Sequence, residues 1–221
     1  MSFTSELRQK ANNIWEANFN HPFVQEIGNG TLPREKFVFY LKQDYIYLID
    51  FARYFALIAA RASNLTLMTG FAELLHSTLK YEMDLHRGIC AEFGISAEEL
   101  EKTEAMPDTL NYTSFLIKSA LLGTTGEMLA GFLPCAWGYV EIAQRLKKKG
   151  LPDERHYRQW VETYSSDEFD GLVLYYRSIL DEYAKTASAE ETARMQDVFR
   201  TSSKLEYMFW EMAWKERGWP I

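Results

Sequence analysis

Pro33-Arg34-Glu35-Lys36-Phe37-Val38-Phe39-Tyr40-Leu41-Lys42-Gln43-Asp44-Tyr45-Ile46-Tyr47-Leu48-Ile49-Asp50-Phe51-Ala52-Arg53-Tyr54-Phe55 reads as one long helix. Phe37, Leu41, Tyr45, Leu48, Ala52 and Phe55 recur at spacings of three and four, which puts them on one helix face. Pro33 suits the start, because its fixed φ and missing N–H cost nothing in a first helical turn. Working outward, Gly28-Asn29-Gly30 is a turn before this helix, and Asn64 caps a following one that ends near Phe93-Gly94. Further starts are marked by Ser96-Ala97-Glu98-Glu99, Pro107-Asp108, Ser166-Asp167-Glu168 and Ser188-Ala189-Glu190-Glu191. Gly123-Thr124-Thr125-Gly126 and Leu151-Pro152-Asp153 are breaks. Alternating strand patterns are nearly absent, and there are no repeats or long linkers. The expectation is an all-α fold, a multi-helix bundle forming a single domain over residues 1–221.

The chain is 47% hydrophobic and 15% aromatic, with 13 tyrosines and a net charge of −7. Buried tyrosines need hydroxyl partners, so this many hints at a polar pocket inside an apolar body. The one basic run, Lys147-Lys148-Lys149 before Gly150, fits a helix C-terminus, where cations meet the negative end of the dipole. Direct nucleic-acid contact is therefore not expected. Met1-Ser2-Phe3-Thr4-Ser5-Glu6 lacks the basic and apolar regions of a secretory signal, and no apolar stretch reaches the roughly 18–20 residues of a membrane span. Cys90 and Cys135 make no disulfide framework, which suits a cytoplasmic protein with free thiols and no membrane partner.

Cys135 lies in the apolar stretch Met128-Leu129-Ala130-Gly131-Phe132-Leu133-Pro134-Cys135-Ala136-Trp137-Gly138-Tyr139 and shares a helix face with Tyr139. Pro134 is expected to kink that helix and free a carbonyl of the preceding turn. Cys90, in Gly88-Ile89-Cys90-Ala91, reads as structural. Asp44 and Glu206 are carboxylates in aromatic settings, Asp44 with Tyr47 and Glu206 with Phe209 and Trp210 on shared faces. A thiol, two carboxylates and several tyrosines suit a flat, nitrogen-rich heteroaromatic ligand, which stacks on rings and offers amino protons to carboxylates. Thiolate addition to such a ring is covalent catalysis assisted by a general acid or base. A thiol within an apolar helix should itself be hard to ionise.

Metal and haem readings compete. Glu73-Leu74-Leu75-His76 has the Glu-x-x-His spacing of di-iron bundles, and Glu82 and His86 form an i, i+4 pair. A di-iron site needs two such elements and two more glutamates, and only one element is present, so no metal ligands are assigned. His21, His76, His86 and His156 are the candidates for haem ligation, but a lone histidine is more often structural and nothing singles one out.

Several segments together resemble the TenA/thiaminase II family, of haem-oxygenase-like α-helical fold. They are His21-Pro22-Phe23-Val24, Gly30-Thr31-Leu32-Pro33 with Phe37, Tyr40-Leu41-Lys42-Gln43-Asp44-Tyr45, Leu133 to Tyr139, Tyr164-Ser165-Ser166, and Leu205-Glu206 with Phe209-Trp210. The resemblance implies an aminopyrimidine aminohydrolase. Such an enzyme converts 4-amino-5-aminomethyl-2-methylpyrimidine to the 5-hydroxymethyl compound in thiamine salvage, and often cleaves thiamine. It implies Cys135 as nucleophile and Glu206 as acid/base. Asp44 would bind the amino-pyrimidine edge, Tyr112, Tyr139 and Tyr164 would shape the pocket, and Tyr47 and Phe209 would form ring-packing walls. It also implies no cofactor, a small-molecule pyrimidine or thiamine partner, and a homotetramer. Members have been labelled transcriptional activators, so the alternatives are a non-catalytic pyrimidine-binding regulator and a metal-dependent oxidase on the same bundle.

Overall fold

In the computed structural model, which describes residues 1–221, the chain is a bundle of twelve α-helices with no strands. They are α1 (Phe3–Lys10), α2 (Asn12–Phe19), α3 (Pro22–Asn29), α4 (Arg34–Arg61), α5 (Leu65–Ser77), α6 (Met83–Glu92), α7 (Ala97–Glu101), α8 (Pro107–Leu122), α9 (Thr125–Lys149), α10 (Arg155–Tyr164), α11 (Asp167–Ala184) and α12 (Ala189–Lys215). A single π-helical turn, Thr78–Glu82, joins α5 to α6.

The boundaries follow local chemistry. Asn64, Ser96, Thr124, Ser166 and Ser188 each accept a hydrogen bond from a backbone N–H one turn on. At Thr124 the capping box is complete, because Glu127 returns a bond to the Thr124 N–H. Gly30 closes α3 at φ +74°, a left-handed conformation that glycine adopts without strain. His21 caps α3, accepting from the Phe23 N–H, and its other nitrogen meets Glu211 at 3.1 Å. The run from Asn64 to Phe93 is not one regular helix, because the π turn interrupts it.

Helix α9 is the axis of the molecule. Sixteen of its 25 residues are buried, on every side of the helix. A helix that is apolar all round must be covered all round. Helices α12, α11, α10, α8, α3 and α4 all pack on it. Pro134 sits within α9, which continues unbroken past it. The packing is close where α9 begins: a Cβ on Gly126 would lie 2.4 Å from Met195 Sδ and 2.6 Å from Tyr183 Cε1. Beyond α9, one contiguous core of 53 buried residues runs through the bundle.

Gln43, 1% exposed, ties α4 to the start of α8. Its Oε1 accepts from the Met106 N–H (2.9 Å) and the Thr109 hydroxyl (2.8 Å), and its Nε2 donates to the Glu104 carbonyl (3.0 Å). It thereby satisfies backbone groups at a helix start that has no side-chain cap of its own. This fixes the rotation of α4 and points the next residue, Asp44, inward.

Replacing Gly126 with Ala is expected to destabilise the protein by about 1–3 kcal/mol, because the tyrosine ring and the Met195 side chain must both move. Equilibrium urea unfolding measures this; an unchanged midpoint would show that α9 and α12 separate freely.

Candidate active site

A cavity of about 900 Å³ opens between α4, α5, the π turn, α6, α9, α10 and α11. Helix α9 presents Phe132, Cys135, Ala136 and Tyr139 to it, an i, i+3, i+4, i+7 face. From α4 come Asp44, Tyr47, Leu48, Phe51 and Phe55, and from α10 comes Tyr164. The outer part is lined by α5 and α11, with Leu65, Leu74, Phe169, Leu172 and Tyr175 among carboxylates Glu73 and Glu168. No lysine or arginine lines any of it.

The expected site residues fall into two layers. Asp44, Tyr47, Cys135, Tyr139 and Tyr164 line the cavity, while Tyr112, Glu206 and Phe209 stand behind them. Cys135 is part-exposed to the cavity, though the thiol is surrounded by protein on its other sides. Burial pushes its pKa well above the usual thiol range, and the nearby Glu206 charge adds to this. The approach of the Tyr47 hydroxyl works in the opposite direction. The Tyr47 hydroxyl is buried without any partner of ordinary geometry apart from this approach to sulfur. Its ring lies 5.2 Å from Tyr112 and 5.8 Å, edge on, from Phe209, so Phe209 braces Tyr47 from behind. Tyr139 packs edge to face with Tyr164 at 4.8 Å, and its hydroxyl meets that of Tyr40 at 3.3 Å.

Glu206 is 6% exposed, and burial raises its pKa to about 8. It is therefore mostly a neutral acid at pH 7. Its Oε1 lies 2.5 Å from the Tyr112 hydroxyl, which lies 3.1 Å from Ser202 Oγ, and Ser202 donates to the Gly131 carbonyl at 2.8 Å. Counting protons gives the direction of this chain. The only proton on Ser202 goes to Gly131. With Glu206 ionised, Tyr112 donates to the carboxylate, and the Tyr112–Ser202 contact has no proton. With Glu206 protonated, Tyr112 is free to donate to Ser202, and every contact is satisfied. Burial favours the neutral acid, the hydrogen bond from Tyr112 works in the opposite direction, and Ser202 competes for that Tyr112 proton.

Asp44, 6% exposed, makes a 2.6 Å ion pair with His86 Nε2. The Glu82–His86 spacing therefore serves a different purpose from metal binding. His86 Nδ1 meets the Glu82 backbone carbonyl at 3.2 Å, and the Glu82 carboxylate takes the Thr78 hydroxyl at 2.9 Å. Glu73 and His76 are exposed on α5. No three His, Cys, Asp or Glu side chains converge as a metal site would require. Cys90 is fully buried in the core. The parts played by His86, Ser202 and Gln43 are not foreseen from the sequence. For Ser202 a signal existed: with Ser203, it interrupts the otherwise apolar face of α12 between Phe199 and Phe209.

A helical bundle enclosing an aromatic cavity, with a thiol and a carboxyl on its wall and a second carboxyl behind, defines a small-molecule enzyme. The TENA/THI-4/PQQC family profile matches residues 8–216, and the chain belongs to this family. An aminopyrimidine aminohydrolase of Halalkalibacterium halodurans is 48% identical over 220 residues, covering 99% of this chain and 98% of that protein. The solved structure of a TenA homologue protein from P. horikoshii OT3 superposes with a TM-score of 0.91 at 33% identity, covering 98% of this chain and 100% of that one. A Shewanella denitrificans domain described as having a heme oxygenase-like fold superposes with a TM-score of 0.75 at 17% identity, covering 96% and 92%, a likeness of fold alone.

Ser202→Ala leaves Tyr112 free to donate only to Glu206, which favours the carboxylate. Its pKa should fall from about 8, so the infrared band of the protonated carboxyl should disappear at lower pH than in wild type. An unmoved band would show that Ser202 does not bias the acid.

Proposed function

We propose that the protein is a hydrolase of the thiamine pyrimidine moiety. It converts 4-amino-5-aminomethyl-2-methylpyrimidine and water to the 5-hydroxymethylpyrimidine and ammonia, and it also cleaves thiamine to the same pyrimidine and the thiazole. The observation that carries this reading is the Cys135 thiol and the Asp44 carboxylate on the wall of one aromatic cavity, with the raised acid Glu206 standing beside the thiol just behind that wall. The name of the H. halodurans relative supports the same chemistry.

The steps derive from these protonation states. Asp44 accepts a hydrogen bond from the amino edge of the pyrimidine, with Tyr139, Tyr164 and Tyr47 packing the ring. Glu206 passes its proton to a ring nitrogen, which makes the ring electrophilic and leaves a carboxylate. That carboxylate takes the thiol proton as Sγ adds to a ring carbon. The thiol thus needs no low pKa at rest, since its base is created on substrate protonation. Loss of aromaticity lets the exocyclic methylene expel its amine or thiazole. Water adds to the methylene and loses a proton to solvent; the S–C bond breaks, the leaving thiolate takes the Glu206 proton, and the Glu206 carboxylate recovers the ring-nitrogen proton as the ring regains aromaticity.

The cavity extends past the space one substituted pyrimidine needs, toward α5 and α11, where the leaving group would lie. Its charged lining there is acidic, through Glu73 and Glu168. This suits an ammonium or a thiazolium and opposes a phosphate ester.

We take residues 1–221 as one functional domain of a cytoplasmic homotetramer that makes no direct nucleic-acid contact. Self-association is supported by the apolar face of α4 and α8, where Leu121 is 54% and Leu122 77% exposed beside Leu57 and Ile117. No helix is long and apolar enough to cross a membrane.

Wild type should form hydroxymethylpyrimidine from both the aminomethylpyrimidine and thiamine, followed by chromatography. Cys135→Ala should lower kcat by about a thousandfold or more. Thiamine monophosphate should react at least about tenfold less efficiently than thiamine because of the like charges at the mouth. Stoichiometric binding without product from wild type would replace this reading with the regulator. Light scattering that gave a monomer would remove the tetramer.

A further inference from the structure

We propose that His86 is a positioning residue for this site: its imidazolium keeps Asp44 ionised and turned so that one carboxylate oxygen remains for the amino edge of the ring. This rests on the proposed hydrolase activity for its substrate but not for its geometry. Asp44 and His86 are 6% and 5% exposed. An aspartate that deep in an aromatic pocket would become neutral without a partner, and a neutral acid is a poorer acceptor for ring amino protons.

The two nitrogens of His86 face acceptors. Nδ1 lies 3.2 Å from the Glu82 carbonyl, which can only accept, so Nδ1 carries a proton. Nε2 lies 2.6 Å from Asp44 Oδ2, a short contact of the charge-assisted kind. Burial alone would lower the pKa of His86; the hydrogen bond and charge of Asp44, with the charge of Glu82, more than reverse this and leave it raised. Asp44 lines the cavity, and only its Oδ2 is engaged by a protein donor, so Oδ1 is left for the ligand.

The π turn makes this possible. An extra residue in a helical turn rotates the succeeding helix by roughly 100° about its axis. The turn Thr78–Glu82 lies immediately before α6, which carries His86, and also supplies the carbonyl that holds Nδ1. Around the pair stand Tyr40 from α4, Glu82, Cys90 from α6, Cys135 from α9, Tyr164 from α10 and Glu206 from α12. His156 lies across a small crevice, held by Glu92 and Glu154, and Arg87 points to Tyr45.

The first test needs no turnover. In full-length protein with nitrogen-labelled histidine, His86, assigned by its loss in His86→Gln, should be doubly protonated at pH 7 by NMR. Asp44→Asn should make it neutral there. A neutral His86 in wild type overturns the proposal. The second test is kinetic. His86→Gln can still donate one hydrogen bond but carries no charge. It should raise KM for the aminomethylpyrimidine by about tenfold or more, with kcat changed less than about threefold. The acid limb of its kcat/KM profile should move to higher pH, because Asp44 has lost its cation. His86→Asn, which loses the reach as well, should raise KM further. An unchanged KM and acid limb in a folded His86→Gln protein overturns the proposal. If His86→Gln does not fold, the loss of the imidazolium in Asp44→Asn decides it. An inactive wild type would remove the enzyme reading and leave the imidazole titration to decide the assignment.

Discussion

The structure depends on the burial of α9 from every side. From Gly126 to Val140 its sequence is apolar around the full circumference but for Glu127, and six other helices cover it. This places Cys135 where protein surrounds the thiol except at the cavity wall. The same packing that stabilises the bundle therefore makes the thiolate costly. A nucleophile in such a place cannot wait in ionised form. It must be generated when a ligand brings a charge into the pocket, and the neighbouring acid Glu206 is the group that can exchange that proton.

The two carboxyls, Asp44 on the cavity wall and Glu206 behind it, show how one apolar environment is answered in two ways. Both are 6% exposed, so burial is the same for each. The difference lies in their partners. Asp44 has the His86 imidazole, and Glu206 has a hydroxyl chain that is fully satisfied only when the acid keeps its proton. Environments that push two acids apart in this way create an acceptor and an acid from the same functional group. They also set a pH limit on folding. Glu206 and His86 both have raised pKa values in the fold. Such groups contribute stability that is fully present below their unfolded values and is lost as pH rises through the folded ones. For Glu206 that window runs from its ordinary value of 4.5 to about 8. The site thus becomes a liability to the fold on the alkaline side, where the acid it needs is also lost.

The helices were legible because their ends are chemical and local. Asn64, Ser96, Thr124, Ser166 and Ser188 announce starts that the backbone then uses. The site was legible where residue type alone carries meaning, as with a thiol and carboxylates among aromatics. It was not legible where meaning comes from pairing across the bundle. Asp44 and His86 are 42 residues apart, and Tyr112 and Ser202 are 90 apart. The spacing of Glu82 and His86 looked like half a metal site, yet the contact His86 makes with residue 82 is to its backbone carbonyl. No periodicity marks the π turn either, since one extra residue leaves the surrounding apolar pattern almost unchanged.

The inner and outer parts of the cavity are built by different rules, and this separates what is recognised from what is released. At the inner end, the polar atoms of Asp44 on the wall and of Tyr112 and Glu206 behind it are tied to their neighbours by short hydrogen bonds, so their positions are set before any ligand arrives. A ring that matches them gains binding without further ordering. At the outer end, Leu65, Glu73, Glu168 and Tyr175 are exposed side chains on α5 and α11, and none of them belongs to a fixed polar network. Such a surface discriminates by charge and apolar contact rather than by shape. One pyrimidine can therefore be held strictly while its substituent varies, and the acidic rim favours those substituents that carry positive charge.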